Sequence, residues 1–375
     1  MRRLALLACC ACGRIGFDPL ATGDASGDAS CTNRTFVAGH TIDVADSPNF
    51  IAAGDLDRDG ATDLVTSNNS GSLSILRNTG GAMFARNDIS VAGMPHSVAL
   101  GDLDGDGILD AIGGRFADNK VAVLRGVGDA TFAGEPELPA GTGTWATAIG
   151  DIDHDNHADI AASNDLAGTA SVFRGHGDFA FDAHVDYPTT TNPYTVALVD
   201  VNHDGNLDLV TAGQAAGDFV GIALGTGAGA FGLRADFDVA PQPKLVVAGD
   251  FDRDGNIDLA VVTNQTGVVS ILLGRGDGTF APHVDYPCGT GPYHLATGDL
   301  NGDGSLDLVT ANTDGNSVAL LYGRGDGTFA APAQFPEPNP YAVAIADFDG
   351  NGLPDIAFAR ISDNAVGLLL AQCAP

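Results

Sequence analysis

The sequence is nearly without lysine and glutamate. Among 375 residues, only Lys120 and Lys244 are lysine, and only Glu135, Glu137 and Glu337 are glutamate. Lysine and arginine total 17 against 48 acids, a formal net charge of −31. Phosphate recognition needs clustered cations, so this balance argues against a nucleic-acid partner and against adhesion to anionic lipid by a basic face. No apolar run reaches the ~20 residues that a membrane-spanning helix needs. No stretch sustains helical periodicity, which disfavours parallel α/β folds. A Gly-x-Ser-x-Gly elbow, a phosphate loop and a dinucleotide fingerprint are all missing, and no acid/base pair stands apart from the repeats described below. Tryptophan occurs once, at Trp145.

What is present is apolar enough for a core: 44% hydrophobic residues and a mean hydropathy of +0.09. The acids are 45 Asp. Asp is a turn residue and a short ligand for hard cations, so the charge is placed rather than spread.

At the N-terminus, Met1-Arg2-Arg3 is followed by apolar Leu4 to Ala8 and by cysteines at 9, 10 and 12. This resembles a bacterial lipoprotein signal, with Cys9 or Cys12 as the lipidated residue. The apolar stretch is shorter than the ~7–15 residues usual for a leader. Residues 1–12 are expected to be the signal and 13–31 a small, polar, flexible tether. The expected location is the outer membrane, cell surface or periplasm of a bacterium, with the membrane reached only through the lipid.

An acidic nonapeptide then recurs seven times. Its first residues, Asp55, Asp102, Asp151, Asp200, Asp250, Asp299 and Asp347, lie 47, 49, 49, 50, 49 and 48 residues apart. Each copy lies between two β-rich runs, such as residues 194–199 and 208–212. A third run, a Gly-Asp-Gly-Thr-Phe-like turn and a fourth, less apolar segment follow. Four short strands per ~49 residues is the unit of a propeller blade. The fold class is therefore all-β: a seven-bladed β-propeller of four-stranded blades over residues 32–375. Phe36, Phe84, Phe132, Phe181, Phe231, Phe280 and Phe329 repeat in the same phase and are expected to anchor the fourth strands. The first Phe precedes the first loop, and only three strands' worth of chain follows Asp347. An N-terminal strand should therefore complete the last blade and remove a free edge. By repeat position Cys31 and Cys373 fall in one turn, and a disulfide between them is expected to seal the ring. Cys288 has no evident partner.

The nonapeptides place oxygen ligands at positions 1, 3, 5 and 9. In chain order these are Asp55, Asp57, Asp59 and Asp63; Asp102, Asp104, Asp106 and Asp110; Asp151, Asp153, Asp155 and Asp159; and Asp200, Asn202, Asp204 and Asp208. The last three sets are Asp250, Asp252, Asp254 and Asp258; Asp299, Asn301, Asp303 and Asp307; and Asp347, Asp349, Asn351 and Asp355. They hold 25 of the 48 acids. Such loops suit Ca²⁺, a hard cation tolerant of irregular geometry, and up to seven ions are expected. Gly at position 6, Asn156 in the third copy, permits the left-handed backbone of the turn. Asn202, Asn301, Asn351 and Pro354 are expected to weaken their loops.

These loops and the Gly-Asp-Gly-Thr-Phe turns resemble the FG-GAP/VCBS repeats of the integrin alpha-subunit N-terminal propeller and its bacterial relatives. The resemblance spans roughly residues 32–375. It implies seven blades with calcium loops between the first two strands of each. It does not imply integrin function.

Six residues before each loop stand Asn49, His96, Trp145, Tyr194, Lys244, Tyr293 and Tyr341, with Pro before six of them. His96, Trp145, Tyr194, Lys244, Tyr293 and Tyr341 are the candidate ligand-binding residues, on the face opposite the loops. They suit sugar stacking or a peptide anchor; alternatively they plug the channel. The expected partner is a protein or glycan, and the chain a monomer. The main alternative is a carbohydrate-active lyase or hydrolase using that face. Arg275-Gly276-Asp277 and Arg324-Gly325-Asp326 match a cell-adhesion tripeptide but sit inside the repeat turn. His154, His157 and His203 flank loops at spacing unsuited to closed zinc sites.

Overall fold

Gly, Asp and Asn turns separate short strands, and within a blade successive strands pair antiparallel. The structure, a computed structural model, describes residue 31 and residues 34–134, 137–213 and 218–374. The expected signal, both candidate lipidated cysteines and nearly all of the tether lie outside the described residues. Among the described residues there is no helix.

Seven antiparallel sheets form seven blades. In the first blade the order from axis to rim is Pro48–Gly54, Asp63–Asn68, Ser72–Asn78 and Phe84–Ser90. The inner strands of the other blades are Ala99–Gly101, Thr144–Gly150, Pro193–Val199, Pro243–Gly249, Pro292–Gly298 and Pro340–Ala346. The last inner strand packs on the first, which closes the ring. Second strands such as Asp258–Thr263 are buried throughout because neighbouring blades cover both faces. The cores accordingly lie between blades: Val309, Leu320, Val343 and Phe358 join the sixth to the seventh.

The ring closes as the repeat order requires. Arg34–Ala38 pairs with Ala365–Cys373 in the seventh blade, and a disulfide joins Cys31 to Cys373, Cα atoms 5.4 Å apart. Two outer strands are interrupted. Arg34–Ala38 and Ile42–Asp43 share one partner strand, and Phe132–Gly134 and Leu138–Pro139 share Lys120–Gly126.

The repeated phenylalanines open outer strands only in part. Phe84 and Phe132 begin theirs and Phe36 lies within one. Phe181, Phe231, Phe280 and Phe329 make single bridges ahead of the strand, Phe329 to Gly323 for example. Their rings reach the adjacent blade: Phe329 meets Phe251 and Tyr286 edge-on at 5.7 and 5.3 Å, and Phe84 meets Phe348 at 6.3 Å.

Candidate functional site

All seven acidic loops join the first strand of a blade to the second, and they are built alike. The first carboxylate accepts the N–H of the sixth residue, as Asp55 Oδ2 does from Gly60 at 3.1 Å and Asp151 Oδ2 from Asn156 at 3.0 Å. That residue is left-handed, with φ of 89° at Gly60 and 67° at Asn156, so Asn156 fills the glycine position as expected. The fifth residue caps the seventh: Asp59 Oδ1 accepts from Ala61, and Asn351 Oδ1 from Leu353.

The ninth residue does more than face a loop. It opens the second strand, fully buried, and both its oxygens accept backbone N–H groups. Asp159 takes Ile152 at 2.6 Å and Gly175 at 2.7 Å, clamping the loop to the turn after the third strand. Asp63, Asp110, Asp208, Asp258, Asp307 and Asp355 repeat this clamp. Burial pushes their carboxyls up to about 6, and Asp307 to about 7, against the two hydrogen bonds that pull them down.

Three carboxylates converge, with one oxygen of each within 4.8 Å of the others, in five loops among the described residues. They are Asp55, Asp57 and Asp63; Asp102, Asp104 and Asp110; Asp151, Asp153 and Asp159; Asp250, Asp252 and Asp254; and Asp347, Asp349 and Asp355. Asp55 Oδ1, Asp151 Oδ1 and Asp153 Oδ1 are buried without a hydrogen bond. An ionised oxygen buried without a partner is costly, and a cation held by the cluster would supply one. The loops with Asn202 and Asn301 assemble no such trio. There the amide N–H groups satisfy Asp204 Oδ2 and Asp303 Oδ2, at 3.1 and 2.9 Å. The loop with Asn351 and Pro354 keeps its trio, because its missing acid is at position 5.

Position 4 carries a feature that sequence reasoning missed. Arg58, His154, His203 and Arg253 are left-handed there, with φ from 58° to 63°. Three of them reach the next blade: Arg58 to the Gly107 carbonyl, His154 to Asn206 Oδ1, and Arg253 to Ser305 Oγ. Glycine at position 4 of three loops (Gly105, Gly302, Gly350) was the available signal.

At the opposite end of the inner strands, about 20 Å away by strand rise, Asn49, His96, Trp145, Tyr194, Lys244, Tyr293 and Tyr341 form a single ring. The pairing register slips at this point in six blades, for example between Pro193 and Thr195 and between Pro243 and Leu245. A bulge re-aims the side chain it carries, here toward the axis. His96 stacks on Trp145 at 4.1 Å, Trp145 meets Tyr194 at 4.9 Å, and Tyr293 stacks on Tyr341 at 4.9 Å. Lys244, 4% exposed, places Nζ 4.0 Å from the Tyr194 centroid and 4.9 Å from that of Tyr293. Burial pulls its amine down to about 8 while Asp165 pulls the other way. The cavity in the middle is about 30 Å³, room for a couple of waters. Phe50, His294 and Phe116, which packs on His96 and Trp145, belong to this assembly too. They lie off the six-residue offset and so escaped the sequence pattern.

The adhesion-like tripeptides are consumed by their turns. Arg275 donates to the Phe280 carbonyl and Asp277 Oδ1 accepts from Thr279; Arg324 and Asp326 do the same with Phe329 and Thr328. Cys288 is buried as a free thiol.

The family model described as FG-GAP-like repeat matches residues 55–113, 151–211, 250–310 and 299–358. No curated protein matches the chain. Among solved structures, the chain is similar to BBS1N in its complex with ARL6DN, soaked with mercury. That likeness has 13% identity and a TM-score of 0.64, over 89% of this chain and 96% of the other. It is also similar to a catalytically inactive virginiamycin B lyase from Staphylococcus aureus with quinupristin. There the identity is 14% and the TM-score 0.60, over 90% of this chain and 99% of the other. At such identities the likeness is one of fold.

Proposed function

Because this chain belongs to the FG-GAP-like repeat family, we propose that it is a calcium-loaded interaction module, exported and lipid-anchored, that binds a macromolecule. The observation that carries the calcium part is the set of five carboxylate trios, two of which hold buried oxygens that no protein group satisfies. All-oxygen donor sets on flexible turns favour Ca²⁺ over Mg²⁺ or Zn²⁺. The first, third and ninth residues would hold the ion in four of these loops, and the first, third and fifth in the loop of Asp254. The ion would supply fixed positive charge where carboxylates otherwise repel. Export and anchoring rest on the leader-like residues before Ala11 and on Cys9 or Cys12.

Binding is preferred to catalysis because most carboxylates have structural assignments in the repeat, and the residues that vary around the ring are mostly aromatic. The binding face is assigned to the ring end of the disc. Two measurements test this reading. Thermal melting in calcium and in chelator should differ, since a ligand that binds only the native state raises stability; coincident curves would remove the calcium. A glycan array and a binding screen against envelope proteins should lose their signals when Trp145, Tyr194 and Tyr293 are replaced by alanine. Signals that survive would move the binding face elsewhere.

A further inference from the structure

The ring carries one ammonium and several neutral hydrogen-bond donors. The Tyr194, Tyr293 and Tyr341 hydroxyls and the Trp145 indole N–H donate to no protein group; among the described residues these side chains make ring contacts alone. His96 adds another donor. Ser67 Oγ donates to Asn49 Oδ1, and Asn49 Nδ2 donates to Asn69 Oδ1, which fixes the amide. That Nδ2 also faces His96 Nδ1 at 3.3 Å, so Nδ1 accepts and Nε2 carries the proton.

Lys244 is the sharpest case. Every other described lysine or arginine donates to a carboxylate, carbonyl or hydroxyl, whereas Lys244 makes neither a hydrogen bond nor an ion pair. It lies between two tyrosine faces, more than nine-tenths buried, lining the cavity. Asp165 is also more than nine-tenths buried, and its Oδ1 has no partner. The two attract each other without touching. In a chain of net charge −31, the one cation without an acceptor among the described residues stands at the centre of converging donors.

From this placement we infer that the ring binds the carboxylate of a sugar acid, seated on Lys244 and reached by the tyrosine hydroxyls and the Trp145 N–H. One ammonium matches one negative charge. A phosphate monoester dianion would bring a second charge that no other cation here can meet. A cavity of about 30 Å³ admits a two-oxygen head and leaves the rest of the ligand at the mouth. At that end of the disc the exposed residues include Ser70, Thr142, Thr191, Gln265 and Asn316, beside the acids Asp314 and Asp363. The uncharged hydroxyls and amides suit sugar hydroxyls. The inference rests on the ring being the binding face of the proposed interaction module.

The chain's single tryptophan lies in this ring, so indole fluorescence reports on it alone. The full-length, calcium-loaded protein is titrated with glucuronate, glucuronamide, glucose, acetate and an N-acetylated dipeptide. The expected result is a saturable change with glucuronate and none with glucuronamide or glucose, which lack the charge. Equal responses to glucuronate and glucuronamide, or none to glucuronate well above about 1 mM, would overturn the inference. Acetate or the dipeptide binding as tightly as glucuronate would overturn the sugar assignment in favour of a bare carboxylate or a peptide end. Lys244→Met keeps the stem and removes the charge. It should weaken glucuronate roughly tenfold to a hundredfold, and unchanged binding would overturn the role of Lys244. The glucuronamide comparison uses unaltered protein, so it stands even where the variant folds poorly. Array signals that depend on Trp145 while glucuronate fails would remove the carboxylate and leave the interaction module in place.

Discussion

A single carboxylate type serves two ends in this molecule, and position decides which. Asp159 is a clamp: without it the N–H groups of Ile152 and Gly175 are buried unpaired, at about 1–3 kcal/mol each. Asp153 has a buried oxygen with no partner and belongs to a trio. Asp159 also belongs to that trio, so Asp159→Ala should lower the melting temperature in chelator and lower it further in calcium. Asp153→Asn should lower it only in calcium. Paired melts of the two variants check both roles, and a chelator-insensitive loss in Asp153→Asn would contradict the assignment. Spacing alone exposed both residues as oxygen donors. It could not separate them, because the clamp depends on a turn 16 residues further on.

Among elements, the unit is a blade wedged against its neighbour by an aromatic ring. Phe329 is nearly fully buried against Phe251 and Tyr286, so Phe329→Ala should cost about 3–5 kcal/mol, read as a lower urea midpoint. Proton linkage also acts at this scale. Burial pushes the seven clamp carboxylates up from the ordinary 3.8, six to about 6 and Asp307 to about 7. Their favourable contribution is complete below 3.8 and is lost as pH rises through 6–7. Burial lowers His96 to about 4 and His294 to about 3, so their contribution is present above 6.5 and fades as pH falls toward 4. Seven groups outweigh two. Chelated protein should melt higher at about pH 5 than at about pH 7, while calcium-loaded protein melts lower because protons compete with the ion. The gap between the two melting curves should narrow on acidification.

Blade count, loop placement and the ring were legible in the sequence because each recurs in phase. The interrupted outer strands were not, since Leu138–Pro139 and Ile42–Asp43 break the period. The left-handed Arg58 and Arg253 were hidden because arginine carries no such conformational signal. The attraction of Asp165 to Lys244 spans residues of different blades, and no local pattern announces it.

For the whole molecule, stability depends on joining the ends. Removing residues 31–43 would leave Ala365–Cys373 as an unpaired edge, a template for association with other chains. Such a variant should form larger species by light scattering, whereas Cys373→Ser, which keeps the strand, should scatter as the unaltered protein does and lose about 2–5 kcal/mol. The same closure governs timing. The last blade is made of residues 34–43 and 340–373, so it cannot be assembled until both segments, with the six blades between them, have been delivered to one compartment. Six blades can form in sequence as the chain emerges, but the seventh waits. A chain emerging from a ribosome or a membrane channel is therefore held open, with Arg34–Ala38 waiting, until Ala365–Cys373 comes free.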